Sequence, residues 1–425
     1  MTMLFSQQPA NGSLNGSLNG SLNGSLGAAI LADPGSANGF SGYSGGVSNA
    51  MLSYGLNLSR ENVVNPTATT RVLINGKAPV GFTSADAWTG ADKLPPTDLA
   101  ENLARWDPQT RFHLMVTEML AGLEFTSTGN SATVHCRLGD GSLRQVLHMV
   151  RPARATFDAQ LAKVFARATE RSDRTAEILT QVQPQFAYWS AICNLHPCRT
   201  PCTIELTTAA LHFAMVVCQR VKHMLACPRP VEFSSLVQPI ILTPAYGTFP
   251  MGHATEAYLF ARIMTAILTR VGPAADAAGV GEQLRTVARR IADNRVIAGV
   301  HFPIDTAGGF VMAEALANHV LARLANARSA AGLAIDGRLL PADWDGDPLT
   351  LHQRHAGQAA LAVTGARYKP PKSPILEYMF ARAAQEFAYA AKPAKPARLG
   401  KPAKVLKFVK RVKPVKFPKL VKVSP

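Results

Sequence analysis

Three Lys/Arg side chains, an aspartate and, besides His223, the two histidines His253 and His301 fall in three short segments between residues 222 and 305. The first segment is Lys222-His-Met-Leu-Ala-Cys-Pro-Arg229-Pro230. Its two cations are seven residues apart, two turns if a helix persists, which would point both one way. Pro228 and Pro230 predict that the helix ends here and that Arg229 sits at its exit. The second is Phe249-Pro250-Met251-Gly252-His253-Ala254-Thr255, a glycine-containing turn that opens a helix, where free backbone N–H groups favour an anion. The third is Asn294-Arg295, followed by His301 and, four residues on, Asp305. A carboxylate at that spacing can accept from one imidazole nitrogen and raise the basicity of the other. Together, Lys222, Arg229 and Arg295 can surround a tetrahedral oxyanion. One histidine then bonds along its axis while the other moves a proton.

Taken in order, the segments resemble the superfamily shared by type 2 phosphatidic acid phosphatases and vanadium-dependent haloperoxidases. Its pattern is Lys-x6-Arg-Pro, then Pro-Ser-Gly-His, then Ser-Arg-x5-His-x3-Asp. Lys222, Arg229, Pro230, Pro250, Gly252, His253, Arg295, His301 and Asp305 match it. The resemblance implies an all-α helical bundle of that type, with Lys222, Arg229, Gly252 and Arg295 binding the oxygens of vanadate. His301 would be the vanadate ligand or the phosphoryl-accepting nucleophile, and His253 the acid–base partner, with Asp305 and Lys222 completing the catalytic set. Trigonal-bipyramidal vanadate resembles the transition state of phosphoryl transfer, so one scaffold serves both chemistries.

This sequence departs from the pattern twice. Met251 replaces the serine, removing a hydroxyl donor worth about 1.5–3 kcal/mol to a charged group unless another donor compensates. Asn294 replaces the serine before Arg295, and an amide can still donate. A long helical chain, with Gly252-His253-Ala254-Thr255 and an aromatic Tyr246 at a possible halide pocket, points to a haloperoxidase using hydrogen peroxide and halide. The short spacings from Pro230 to Pro250 and from His253 to Arg295 point the other way, to an acid phosphatase acting on a phosphomonoester, with phosphate as the bound anion; the haloperoxidase is the expected function and the phosphatase its alternative. The alternative outside enzymology is a non-catalytic polyanion-binding protein. A homodimer is left open.

The elements that must position these residues follow from periodicity. Apolar spacing predicts helices near 155–170, 173–194, 201–226, 252–271, 274–293 and 304–326, with Thr200-Pro201 capping the third. A further helical stretch, 99–125, is broken at Asp107-Pro108, and a last helix lies near 375–391. Ala132–Leu138 and Ser142–Val150 flank Gly139-Asp140-Gly141 and predict a hairpin. The reading divides the chain into a leader (1–50) with four Asn-Gly-Ser-Leu copies, a helical catalytic domain (51–390, motif core 200–310) and a basic tail (391–425).

Composition excludes other classes. Six cysteines in 425 residues make no disulfide scaffold, and Cys193, Cys198 and Cys202 with His196 fit no common zinc spacing, which predicts buried thiols. His212 and His223 are expected to pack beside the helix rather than to react. No apolar run approaches the roughly 18 residues of a transmembrane span, and no secretory signal is visible, so a cytoplasmic protein without a span is expected.

The net charge of +16 belongs largely to the tail, where 12 of the 44 basic residues lie without one acid. Residues 1–390 therefore carry 32 basic against 28 acidic side chains. Between Lys392 and Lys422 a Lys or Arg recurs at every third position, interleaved with Pro393, Pro396, Pro402, Pro414 and Pro418. In a polyproline II helix that period lines one side with charge about every 9 Å. The pattern predicts a clamp for nucleic acid or an anionic membrane surface through counterion release. Deleting 391–425 should abolish salt-sensitive retention on DNA or anionic liposomes and leave turnover unchanged. Retention that survives the deletion would refute it.

Overall fold

A computed structural model describes residues 97–388, except 183–184, 325–328, 353 and 356–357, together with Tyr54 and Leu58. The Asn-Gly-Ser-Leu leader and the basic tail lie outside the described residues.

Asp107 caps the first helix, α1 (Pro108–Leu120), by accepting from the Thr110 N–H at 2.9 Å, with Pro108 at the first position. A meander follows: β1 (Leu123–Thr128), β2 (Ser131–Arg137) and β3 (Leu143–Val150), all antiparallel, with the hairpin where the glycine turn places it. Then come α2 (Arg154–Arg167), α3 (Arg171–Thr180), α4 (Phe186–Cys193), α5 (Pro201–Leu225) and the short α6 (Pro230–Phe233). After these run α7 (Gly252–Thr269), α8 (Ala274–Ile297) and α9 (Pro303–Arg323). The chain closes with β4 (Ala330–Asp336), two short strands β5 (Arg354–His355) and β6 (Gln358–Ala359), β7 (Leu361–Tyr368) and α10 (Pro374–Ala388).

The all-α expectation is overturned. The chain builds a five-stranded mixed sheet in the order β1-β2-β3-β4-β7 beside its helices. Strand β4 pairs parallel to β3, Leu147 opposite Leu333, and antiparallel to β7. Parallel neighbours need a long crossover, and here the crossover runs from residue 151 to 329 and holds every motif residue. The sheet escapes a local reading because it is completed by residues about 180 positions apart in the chain. The helix expected over 173–194 is two helices, α3 and α4.

The sheet backs the site. On α9, Arg323 Nη1 donates to the Ala121 carbonyl at 3.0 Å and His319 Nδ1 lies 3.2 Å from the Tyr368 hydroxyl on β7. The C-terminal half of α9 is thereby tied to the sheet layer, leaving its N-terminal end to carry His301 and Asp305. Glycine permits the contact at that end: a Cβ on Gly309 would lie 2.6 Å from the Met251 carbonyl, and one on Gly308 as close to the Phe249 ring. So α9 meets the loop before α7 backbone to backbone.

Helix α5 begins differently from expectation. Pro201 occupies its first turn, but the Thr200 hydroxyl bonds to residue 196 instead of capping. Glu386 of α10 caps instead, accepting from Cys202 N at 2.7 Å and Thr203 N at 2.9 Å, a carboxylate at the positive end of the helix. By length and composition Pro201–Phe233 could cross a bilayer, against the expectation of no span, yet 78% of its apolar stretch is buried inside the protein.

Candidate active site

Helix α5 stops at Leu225 because Ala226 takes a left-handed conformation, φ 48°, its N–H bonding back to the Lys222 carbonyl. Lys222 is therefore on the last turn, and Arg229 lies beyond the helix in the Cys227-Pro228 exit, not on the same helical face. Both are buried. Lys222 Nζ donates to the Gly247 and Thr248 carbonyls at 2.7 and 2.9 Å. Arg229 Nε donates to the Tyr246 carbonyl at 2.9 Å, and its Nη1 to the Val300 carbonyl at 2.8 Å and to His301 Nε2 at 2.9 Å. The Tyr246 ring, 5.3 Å from the ammonium and 5.2 Å from the guanidinium, lies against both cations.

Arg295 ends α8, buried, with Nη2 donating to the Ile178 carbonyl at 2.9 Å. Asn294 beside it does not face the anion site as its substitution for serine suggested. Its amide donates to Gln181 Oε1 at 2.8 Å and Glu177 Oε2 at 3.1 Å, strapping α8 to α3. Arg171, which sequence reasoning missed, closes the same corner by donating to the carbonyls of Val237, Gln238 and Ile297, each at 2.9 Å. Nothing in its sequence context marks it. Gly299 turns beneath it with φ 85°, where a Cβ would come within 2.8 Å of the Arg171 guanidinium.

His301 and Asp305 sit at the start of α9. Asp305, the third residue of the helix, accepts from the Phe302 N–H at 2.8 Å, and Gln160 of α2 accepts from Ile304 N at 3.0 Å. The Phe302 ring packs on Phe157 and Phe233, centroids 5.0 and 5.4 Å away, and pins the turn. His301 Nδ1 lies 2.9 Å from Asp305 Oδ2 and 3.1 Å from Thr248 Oγ1, and that hydroxyl donates to the same carboxylate oxygen. A carboxylate only accepts, so Nδ1 carries the hydrogen and Nε2 the lone pair. Thr248 is the second residue the sequence did not announce: it precedes the Pro250-Gly252-His253 motif without belonging to it.

His253 lies on the first turn of α7, buried, where N–H groups of that turn have no partner within the helix. Burial, and then the charge of Arg295, hold its imidazole well below the usual histidine range, with the Gln181 backbone acting the other way. Burial, then Arg229 and Lys222, do the same to His301. Burial and Arg229 push the Lys222 ammonium down, and burial pushes the Asp305 carboxyl up against its hydrogen bonds. Burial likewise lowers Arg295, to about 10. Each imidazole feels the charge of all three cations, which puts the five groups in one electrostatic neighbourhood.

That site has donors to spare. Arg229 Nη2 and Arg295 Nε and Nη1 are buried without a hydrogen-bond partner, and the buried carboxyl of Asp305 acts on Lys222 and Arg229. Spare buried N–H donors of this kind have the chemistry of an oxyanion site, the role expected of Lys222, Arg229, Arg295 and Gly252. One donor of the superfamily pattern is absent. Met251 is fully buried, 0% exposed, and the hydroxyls flanking it are committed, Thr248 to Asp305 and Thr255 to the Met251 carbonyl.

The remaining candidates separate. His223 is exposed and His212 packs against Phe112, centroids 5.3 Å apart, so neither enters the site. All six cysteines are free; Cys198 is exposed and Cys202 half-buried, correcting the expectation of buried thiols at 193–202. Among the described residues no group of three His, Cys, Asp or Glu is placed to hold a metal ion.

Buried cations with unpartnered N–H donors beside two buried imidazoles form a cluster with the chemistry to bind an oxyanion. Residues 205–329 match the model of the PAP2 superfamily, which supports the broad group of acid phosphatases and haloperoxidases. The match begins on α5 and ends just before β4, within the crossover. No curated protein matches the chain.

Anion binding should take up protons here. An incoming negative charge raises the lowered values of Lys222, His253 and His301, so affinity increases as pH falls through neutrality. Titration calorimetry of tungstate in two buffers of different ionisation enthalpy should report net proton uptake. Equal heats in both buffers would contradict these assignments.

Proposed function

We propose that this chain is a phosphohydrolase of the PAP2 type, cleaving a phosphomonoester through a phosphohistidine at His301. The observation that carries this reading is the Nε2 lone pair of His301, fixed by Asp305 and Thr248 and accepting from Arg229 Nη1 in the free site, a bond that guanidinium would give up to a phosphoryl oxygen, beside further guanidinium donors that lack partners. The three cations neutralise the phosphoryl oxygens and leave phosphorus open to in-line attack. Nε2 bonds to phosphorus as the ester P–O bond breaks, and His253 protonates the departing alkoxide. Since His253 is neutral in the free site, that proton arrives with the substrate monoanion. His253 then deprotonates a water that attacks phosphorus, releasing phosphate and returning His301 to its neutral tautomer.

The haloperoxidase reading remains the second one, favoured by the Tyr246 ring lying against Lys222 and Arg229. Vanadate at the same residues would supply a Lewis-acidic centre that activates peroxide toward halide. Such an enzyme must retain its anion between turnovers, whereas a phosphatase need hold it only in passing. The buried Met251, with no hydroxyl to offer, weighs against retention.

Acid hydrolysis of aryl and alkyl phosphomonoesters should be measured beside bromide oxidation by peroxide, with and without vanadate. We expect hydrolysis, inhibited by vanadate, lost in His301→Ala and reduced about 10²–10⁴-fold in His253→Ala. Vanadate-dependent bromide oxidation without hydrolysis would overturn the phosphatase reading in favour of the second.

Met251→Ser should restore the missing donor and tighten tungstate binding by about one to two decades, from about 1.5–3 kcal/mol for a hydrogen bond to a charged group. Affinity is the quantity to measure, since the smaller side chain leaves a cavity that lowers stability on its own. Unchanged affinity in a folded variant would show that residue 251 does not face the anion.

A further inference from the structure

We propose that Thr248 is a positioning residue for the reaction, its hydroxyl holding the Nδ1-protonated His301 ring in place against Asp305 so that Nε2, which accepts from Arg229 Nη1 in the free site, stays aligned with the cations. This rests on the reading of His301 as nucleophile and adds a residue outside the motifs that carry that reading.

The hydroxyl stands at the centre of a closed triangle. It donates to Asp305 Oδ2, which forces its lone pairs toward His301 Nδ1 at 3.1 Å, while Nδ1 and Oδ2 are themselves 2.9 Å apart. The Nδ1 hydrogen therefore faces two acceptors set by one side chain. Without the hydroxyl, Asp305 Oδ2 would keep only the Phe302 N–H and the imidazole, and Oδ1 already has no partner. The carboxylate oxygen would then be held by two contacts instead of three, and the ring would lose its second acceptor.

Thr248 can do this because its own backbone is fixed. It is fully buried, its N–H donates to the Cys227 carbonyl at 2.8 Å, and its carbonyl accepts from Lys222 Nζ at 2.9 Å. Gly247 before it presses on residue 227, where a Cβ would meet the carbonyl at 3.2 Å. One residue thus ties the exit of α5, the Lys222 ammonium and the His301 imidazole together. A nucleophile displaced relative to the cations would still allow an anion to bind but would meet phosphorus off line.

The test is Thr248→Val, nearly isosteric without the hydroxyl, with Thr248→Ser as the conservative control. In wild type, ¹⁵N NMR of the imidazoles, with His301 assigned by its loss in His301→Gln, should show a single Nδ1-protonated form. Thr248→Val, in which Arg229 still donates to Nε2, should shift the His301 Nδ1 resonance without changing the tautomer, keep tungstate affinity within about threefold of wild type and lower kcat by about 10–100-fold, as for other outer partners of a reactive imidazole. Thr248→Ser should restore both the Nδ1 resonance and kcat. An unchanged Nδ1 resonance and kcat in the valine variant would overturn the inference, as would a loss of kcat that serine does not rescue. The NMR arm needs no substrate: absence of phosphatase activity in wild type would defeat the proposed function, and a wild-type ring protonated at Nε2 would defeat the role of Thr248.

Discussion

Three buried cations that outnumber the buried carboxyl beside them, Asp305, are the constraint on which the rest of the structure depends. Moving a charge from water into a protein interior is costly unless polar groups replace its hydration. Here the replacement is partial: Lys222 has two carbonyls, Arg229 two carbonyls and an imidazole, and Arg295 one carbonyl. The donors left over and the lowered values of Lys222 and Arg295 express that unmet demand. An oxyanion meets it. A ligand that binds only the folded site adds RT ln(1 + [L]/Kd) to stability, so the cost of burying the cluster is offset when the site is filled.

A cationic cluster held this tightly needs rigid support from several directions. The three cations come from two helix ends and one loop, the imidazoles from the starts of α7 and α9, and none of these ends is held by its own helix alone. Glu386 caps α5 from the C-terminal helix, Gln160 reaches α9 from α2, and Arg171 gathers three carbonyls where α8 meets the 237–238 loop. Behind them the sheet fixes α9 through Arg323 and Tyr368. Because β3 and β4 are adjacent and parallel, the whole site is one crossover clamped at both ends by strand pairing.

The sequence made the site more legible than its frame. Lys222, Arg229, His253, Arg295, His301 and Asp305 could be read because their chemistry is local, each lying in a short segment with proline or glycine punctuation. The two central site helices, α5 and α7, were legible from apolar period, and the β2–β3 hairpin from its glycine turn. Strand β4, Ala-Ala-Gly-Leu-Ala-Ile-Asp, offers no clear alternation, and its partner β3 lies some 180 residues earlier, so the sheet could not be read locally. Thr248, Arg171 and Gln160 escaped for a related reason. A threonine that orients an imidazole 53 positions away, or a glutamine that caps a helix 144 positions on, carries no local signature. Asn294 shows the converse: motif position suggested a role toward the anion, and the fold turned its amide to Glu177 and Gln181.

The same electrostatics bears on which chemistry the scaffold favours. In the free site both imidazoles are held neutral by burial and by neighbouring cations, which suits His301 as a nucleophile once Arg229 Nη1 turns from Nε2 to the incoming anion. It does not suit His253 as an acid until a charge arrives. A phosphomonoester monoanion brings charge and proton together, so the group that needs protonating carries its own proton into a site that could not have kept one. Resident vanadate would have to remain bound through each cycle against the missing Met251 hydroxyl, relying on guanidinium donors that a buried methionine cannot supplement. A site short of one donor is better matched to an anion that leaves than to one that must stay.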